Sequence, residues 1–273
     1  VSADSLSPAA AGRAATSATE KAGSASCRLT LTADDGSTPT TVEVRGKADL
    51  DGSSADLSAT IPGDGGPTTV RQRVVDGVVY LKVEGSDLLP ATWVKLDPAQ
   101  LPEGAGQELG GVLGGAGSGT VTAPLDALRE VADVEELGTQ EIDGIATTHY
   151  RATLDPAKLA AAFGPLTSLG AGASLGTGTM PVNLWVDGEG RVVRVTQTLD
   201  LKAADAGTIT WTLDLREFGE PLELTAPAGA LDLGSLLGSL GDLGSMLGGE
   251  GGSGANLDDL SGLLDGLRGR ARR

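Results

Sequence analysis

The chain is 273 residues long, carries a net charge of −17, and has 42 glycines, one cysteine, one histidine and only 3% aromatic residues. That acidity argues against nucleic acid as a partner, because such affinity comes from neutralising phosphates with Lys and Arg. A lone Cys27 forms no internal disulfide and leaves the redox compartment open, and no run of 18 apolar residues offers a membrane-spanning helix.

Ser7-Pro8 opens an Ala-rich stretch to Lys21 that reads as a helix, with Pro near its start and Gly23 closing it. Strands then follow at roughly ten-residue spacing, which predicts a meander. Cys27, Leu29 and Leu31 mark the first, and Val42 and Val44 the second. Ala55, Leu57, Ala59 and Ile61 mark the third, and Val70, Gln72 and Val74 the fourth. Asp76-Gly77 makes a tight turn into the fifth, Val78 to Val83, which carries Val79 and Leu81. Thr92 to Asp97 is a short sixth strand, followed by a Gly-rich stretch from Pro98 to Thr122.

Pro124 to Val134 reads as a helix with Leu125, Leu128, Val131 and Ala132 on one face. Thr139 to Ile142 and Ala146 to Leu154 are expected as strands around Asp143-Gly144. Asp155-Pro156 opens another helix, Asp155 as N-cap, with Leu159, Ala162 and Phe163 apolar. A second Gly-rich loop, Gly170 to Thr179, leads into the clearest signal of the chain, a hairpin from Pro181 to Leu201. There Val182, Leu184 and Val186 alternate with Asn183 and Trp185, Asp187 to Gly190 makes the turn, and Val193, Val195, Leu199 and Leu201 return. A last strand runs through Ile209, Trp211, Leu213 and Leu215.

From Ala226 the character changes. Leucines at helical spacing are interleaved with glycines, each costing a helix about 0.5–1 kcal/mol relative to Ala, and the chain ends in an Arg cluster. Two readings stand for this tail: a low-complexity segment, or an amphipathic one that folds against an apolar groove or an anionic membrane.

No constellation for chemistry emerges, so no catalytic residue, metal ligand or cofactor is expected. His149 lies in phase with Thr147, Arg151 and Thr153 on a polar strand face, with no second histidine or nucleophile to work with. Asp187-Gly-Glu-Gly190 is too short for a calcium loop, and the glycines from Gly110 to Gly119 lack the lysine of a phosphate loop. Cys27, in phase with Leu29 and Leu31, is expected as a buried strand residue. The energetics point elsewhere. Each inward side chain of a large one-faced sheet is worth roughly 1.5–3 kcal/mol if buried, and an apolar face of that size must be covered. Thin helical cover and Gly-rich loops fit an internal cavity, and they fit a filled core equally well.

The order of elements resembles the LppX/LprG/LprA group of actinobacterial lipoproteins, which share features with LolA/LolB-like folds. The resemblance rests on the Ala-rich first helix, Val75-Asp-Gly-Val-Val-Tyr-Leu-Lys82, Trp93-Val-Lys-Leu-Asp97, Thr147-Thr-His-Tyr-Arg-Ala-Thr-Leu-Asp155 and Leu184-Trp-Val-Asp-Gly-Glu-Gly-Arg-Val-Val-Arg194. It covers about residues 8–220, and the Gly/Leu tail departs from it. It implies an α+β half-barrel, a strongly bent antiparallel sheet with helices on its concave face. It also implies a lipid-anchored protein of the cell envelope that carries an acylated lipid or glycolipid between layers.

The expectation is therefore a non-enzymatic envelope lipoprotein with a half-barrel domain at residues 1–225 and a tail at 226–273. The chain starts at Val1 without Met, so a removed signal sequence is expected; the resemblance implies a lipid anchor upstream of Val1 on the outer face of the cell membrane, with a secreted protein as the alternative, and a monomer is expected. Leu29, Leu31, Val42, Val44, Leu57, Val79, Leu81, Leu184, Val186, Val193, Val195 and Trp211 are the expected cavity wall, and Leu128, Val131, Leu159 and Phe163 its lid. The alternative is a scaffold or sensor domain with a filled core that binds a protein partner.

Overall fold

The computed structural model describes residues 8–34, 36, 38–63, 66–85, 92–97, 125, 128–129, 134–154, 180–200 and 207–235. The element order is α1 (Pro8–Lys21), β1 (Ser24–Asp34), β2 (Thr40–Asp49), β3 (Ala55–Ile61), β4 (Thr68–Val75), β5 (Val78–Glu84) and β6 (Val94–Leu96). After these come β7 (Val134–Ile142), β8 (Ile145–Leu154), β9 (Met180–Asp187), β10 (Val192–Asp200), β11 (Thr208–Arg216) and β12 (Leu231–Asp232). All twelve strands form one open sheet in the order β12-β6-β5-β4-β3-β2-β1-β11-β10-β9-β8-β7. It lies within the unit Val1–Gly234, and of the unit Ser235–Arg273 only Ser235 is described.

Turn chemistry explains the meander. Asp76-Gly77 and Asp143-Gly144 both have positive φ at their two positions, 51° and 77° in the first and 50° and 83° in the second. That geometry matches the twist of the strands they join. Between β9 and β10 the Asp187 carboxylate accepts hydrogen bonds from the amides of Glu189 and Arg191, each at 2.9 Å.

Alternation along the strands places one apolar row after another on a single face. Ala25, Ala48, Ala55, Val74 and Val79 are in register across β1 to β5. Leu29, Leu213, Val195, Leu184 and Tyr150 are in register from β1 through β11, β10 and β9 to β8. Ala15 of α1 joins the core these residues make. The Thr19 hydroxyl donates to the Ala15 carbonyl at 2.6 Å and accepts the amide of Val192 at 2.8 Å, which ties α1 to β10. The opposite face is polar: Arg28, Arg45, Arg194 and Asp214 occupy one row of it, and Asp143 reaches from the β7–β8 turn to Arg216 of β11 at 2.8 Å.

Two elements differ from the sequence expectation. β7 begins at Val134, where a helix was expected to end and five residues before the expected strand start at Thr139. A register shift between Glu136 and Gly138 breaks the alternation that would have revealed its first half, and exposed glutamates fill that half because β7 is a sheet edge. The sheet also takes in Leu231–Asp232, beyond the expected domain end at residue 225. After β11 the chain runs back along the strand ends. The Ser24 hydroxyl donates to the Glu220 carbonyl at 2.5 Å, Lys47 pairs with the Glu220 carboxylate, and Arg73 donates to the Thr225 carbonyl at 3.2 Å. The Leu231 amide then donates to the Trp93 carbonyl at 2.8 Å, and β12 pairs in parallel with β6. Nothing in hydrophobic periodicity reports such a strap, because backbone and ion-pair contacts hold it. The Gly-rich stretches 98–122 and 170–179, the helix expected from Asp155 and the Leu-spaced tail from Leu236 onward lie outside the described residues.

Candidate functional site: an apolar wall with a graded exposure

The apolar face is not uniformly covered. Ala25, Cys27 and Leu29 of β1 are buried, and Leu31, next in phase, is half-buried. On β3, Ala55 and Leu57 are buried, Ala59 is half-buried and Ile61 is 41% exposed. β2 runs the same way from buried Ala48 to half-buried Val44 and Val42, and β4 from buried Val74 and Gln72 to half-buried Val70. Antiparallel register brings Val44, Ala59, Val70 and Val83 side by side. The wall is thus packed at one end of β1–β5 and open along a continuous apolar strip at the other.

The expected wall residues divide accordingly. Leu29, Leu57, Leu184, Val195, Trp211 and the expected lid residue Leu128 share one connected core. Leu31, Val44, Val79 and Val186 pack half-buried against it, and Val42 is half-buried. Leu81 is buried but outside that connected core. So is Val193, at a register shift between Val192 and Arg194 that sets Val192 opposite Val186. The lid residues Val131, Leu159 and Phe163 lie outside the described residues.

Polar groups stand on this wall that the apolar pattern passes over. Gln72 faces Leu57 and Leu81 across its two neighbouring strands, and Gln197 faces Trp211. Both are buried, Gln197 completely. The Trp211 indole N–H donates to the Gln197 Oε1 at 3.0 Å. Tyr150, half-buried on the same face, has its hydroxyl pKa pushed upward by burial and then by the Glu136 charge. The sequence signal for the glutamines is a polar residue in phase with an apolar strand face, which is easily read as a lapse in the pattern.

Cys27 is a buried strand residue, as its phase predicts. Its thiol donates weakly to the Gly46 carbonyl at 3.5 Å, and burial pushes its pKa up to about 12, so it is an inert core group. His149 is stacked on Trp185 with ring centroids 4.4 Å apart, and one ring nitrogen meets Asn183 Oδ1 at 3.1 Å. Trp185 in turn donates to Gln140 at 2.9 Å. A recess of about 370 Å³ at the end of β7, β8 and β9 includes Gln140, Thr147 and Asp187. Asp187 there is committed to Arg191, at 2.8 Å, and to its own turn. Among the described residues no group of three or more His, Cys, Asp or Glu side chains is placed to hold a metal ion. The convergent feature is therefore the apolar wall.

One solved structure shares this fold. A solved structure of LprF from Mycobacterium bovis matches 81% of this chain and 97% of its own, at 17% identity and a TM-score of 0.53. Mycobacterium tuberculosis lipoprotein LppX matches 80% of this chain and 97% of its own, at 20% identity and a TM-score of 0.45. No curated protein matches the chain significantly. The model of the LppX_LprAFG lipoproteins matches residues 7–224, which include α1, β1–β11 and nearly all of the wall described above, and by that match the chain belongs to the LppX_LprAFG lipoprotein family.

Proposed function

We propose that this protein binds an acylated lipid, or another apolar ligand, in a cavity between the apolar wall and helices on its concave side. The observation that carries the reading is the half-exposed strip formed by Leu31, Val42, Val44, Ala59, Val70 and Val83 at one end of β1–β5. An apolar strip of this kind, continuous with a buried core, is a surface for a non-polar partner. Acyl chains laid along it gain about 0.8 kcal/mol per CH₂ removed from water. Leu128 and the segments carrying Val131, Leu159 and Phe163 form the lid in this reading. The protein acts passively, holding its ligand and carrying it between layers of the cell envelope. It works as a monomer held by a lipid anchor on the outer face of the cell membrane, with the sheet through Asp232 as the binding domain and the residues beyond it as a tail. Membership of a lipoprotein family supports the location. In this reading the protein does no chemistry on its ligand.

Native mass spectrometry of protein purified from its own host, followed by organic extraction, tests the proposal. A co-purifying diacyl or triacyl species near one-to-one stoichiometry is the expected result. A bare mass that takes up neither added phospholipid nor fatty acid would mean that the wall is filled, and would turn the search toward a protein partner.

A further inference from the structure

Among the described residues of the wall, two buried hydrogen-bond donors have nothing to donate to. Among the described residues the Nε2 groups of Gln72 and Gln197 have no acceptor, although Gln72 is 7% exposed and Gln197 is not exposed at all. For Gln197 the orientation is determined by chemistry. The indole N–H of Trp211 can only donate, so the atom it meets must be the amide oxygen. The NH₂ group is thereby turned away from Trp211. An unpaired donor in an apolar environment is costly, and buried side-chain amides are nearly always paired. Leu57 and Leu81 flank Gln72 in register, and residues of that size and position show what an ordinary core would hold there. Both amides stand on the apolar face of the sheet, the face that holds the ligand in the reading above, and a ligand lying there supplies the missing acceptor.

We propose that Gln197 and Gln72, on separate strands of the wall, are specificity-determining residues of the cavity, each hydrogen-bonding the carbonyl oxygen of a different ester- or amide-linked acyl chain. The inference rests on the lipid-binding reading above and goes one step further, from burial of hydrocarbon to recognition of the bond that links it. A carbonyl is a strong acceptor that can reach into an otherwise apolar site. A hydrocarbon or a dialkyl ether of the same shape leaves the amides unpaired or weakly paired.

The test compares dioleoylglycerol with 1,2-di-O-oleylglycerol, which has the same chains and free hydroxyl but lacks the carbonyls. Both are offered together to the wild-type protein, and occupancy is read by native mass spectrometry. The wild type is expected to prefer the ester by about fivefold for one net hydrogen bond and about thirtyfold for two. Gln72→Leu and Gln197→Leu are each expected to move that ratio toward one. Gln72→Leu is also expected to raise the melting temperature of ligand-free protein, because it removes an unpaired donor, whereas a glutamine with a purely structural role would lower it. Equal uptake of the two lipids by the wild type overturns the assignment while leaving lipid binding intact. An ester preference unchanged in both variants overturns it equally. Uptake of neither lipid overturns the lipid-binding reading and this inference with it. The wild-type ratio needs no variant to fold.

Discussion

Gly46 lies in the middle of β2, facing Cys27 on one side and Leu57 on the other. A Cβ added there would stand 1.9 Å from the backbone carbonyl oxygen of Asp56 and 2.9 Å from the Cα of Leu57. Backbone cannot step aside as a flexible side chain can, so the missing side chain is what lets β2 and β3 close together at this point. Gly46→Ala is expected to cost about 2–4 kcal/mol or to prevent folding. Urea unfolding measures it, and a loss below about 0.5 kcal/mol would show that the sheet tolerates a side chain there. Its neighbour Cys27 gives a pH signature. Its folded pKa of about 12 lies above the usual thiol value near 8.5. The unfolded chain therefore gives up this proton first, and the contribution is fully present below about pH 8.5 and lost as pH rises toward 12. Stability of the wild type should fall more steeply over that window than stability of Cys27→Ala. Parallel curves for the two proteins would refute the burial argument. At pH 8 the thiol should resist iodoacetamide in folded protein and react promptly in urea.

At the level of elements, one hydroxyl ties α1 to β10 beside the apolar contact made by Ala15. Thr19 accepts the Val192 amide where the register of β10 against β9 shifts, so that amide is satisfied by a helix instead of a strand. Thr19→Val keeps the shape and deletes the acceptor, leaving a buried N–H unpaired, and is expected to cost about 1–3 kcal/mol. Hydrogen exchange should show the loss as faster exchange at Val192 and in α1, with β3–β5 unaffected. Uniform loss of protection would mean that α1 and the sheet unfold as one. Hairpins were legible in advance because their signals are local: Asp76-Gly77, Asp143-Gly144 and the Asp187–Gly190 turn all fall where turn chemistry places them. β7 and β12 were not, for opposite reasons. β7 is an edge strand whose alternation is interrupted near Gly138, while β12 is two residues held by partners at the far edge of the sheet, Trp93 and Lys95. Local patterning does not record a partner that distant in the chain.

For the molecule as a whole, alternation told which residues share a face and not how well each is covered. Leu29 and Leu31 have the same phase, and so do Ala55 and Ile61, yet Leu29 and Ala55 are buried while Leu31 is half-buried and Ile61 exposed. What separates them is position along the strand relative to the packed end, a property of the assembled sheet. The same limit hid Gln72 and Gln197, whose phase was visible but whose burial depends on neighbours across the sheet. This graded exposure makes the cavity reading separable from a merely packed core. Val70 and Val74 sit on the same face of β4, Val74 buried and Val70 half-buried in the open strip. A carboxylate at Val74 has no water to retreat to and should unfold the protein. A carboxylate at Val70 can stay hydrated in the free protein, so Val70→Glu should cost only about 1 kcal/mol of stability. If acyl chains lie over that strip, the same carboxylate must be desolvated on binding, and uptake of dioleoylglycerol should fall by tenfold or more, which corresponds to about 1.4 kcal/mol of lost affinity. Thr69→Glu, one residue away with its side chain on the opposite face, should bind like the wild type. Equal uptake by Val70→Glu, Thr69→Glu and the wild type would place the ligand elsewhere, whereas loss in Val70→Glu alone would map the entrance to the open end of β1–β5.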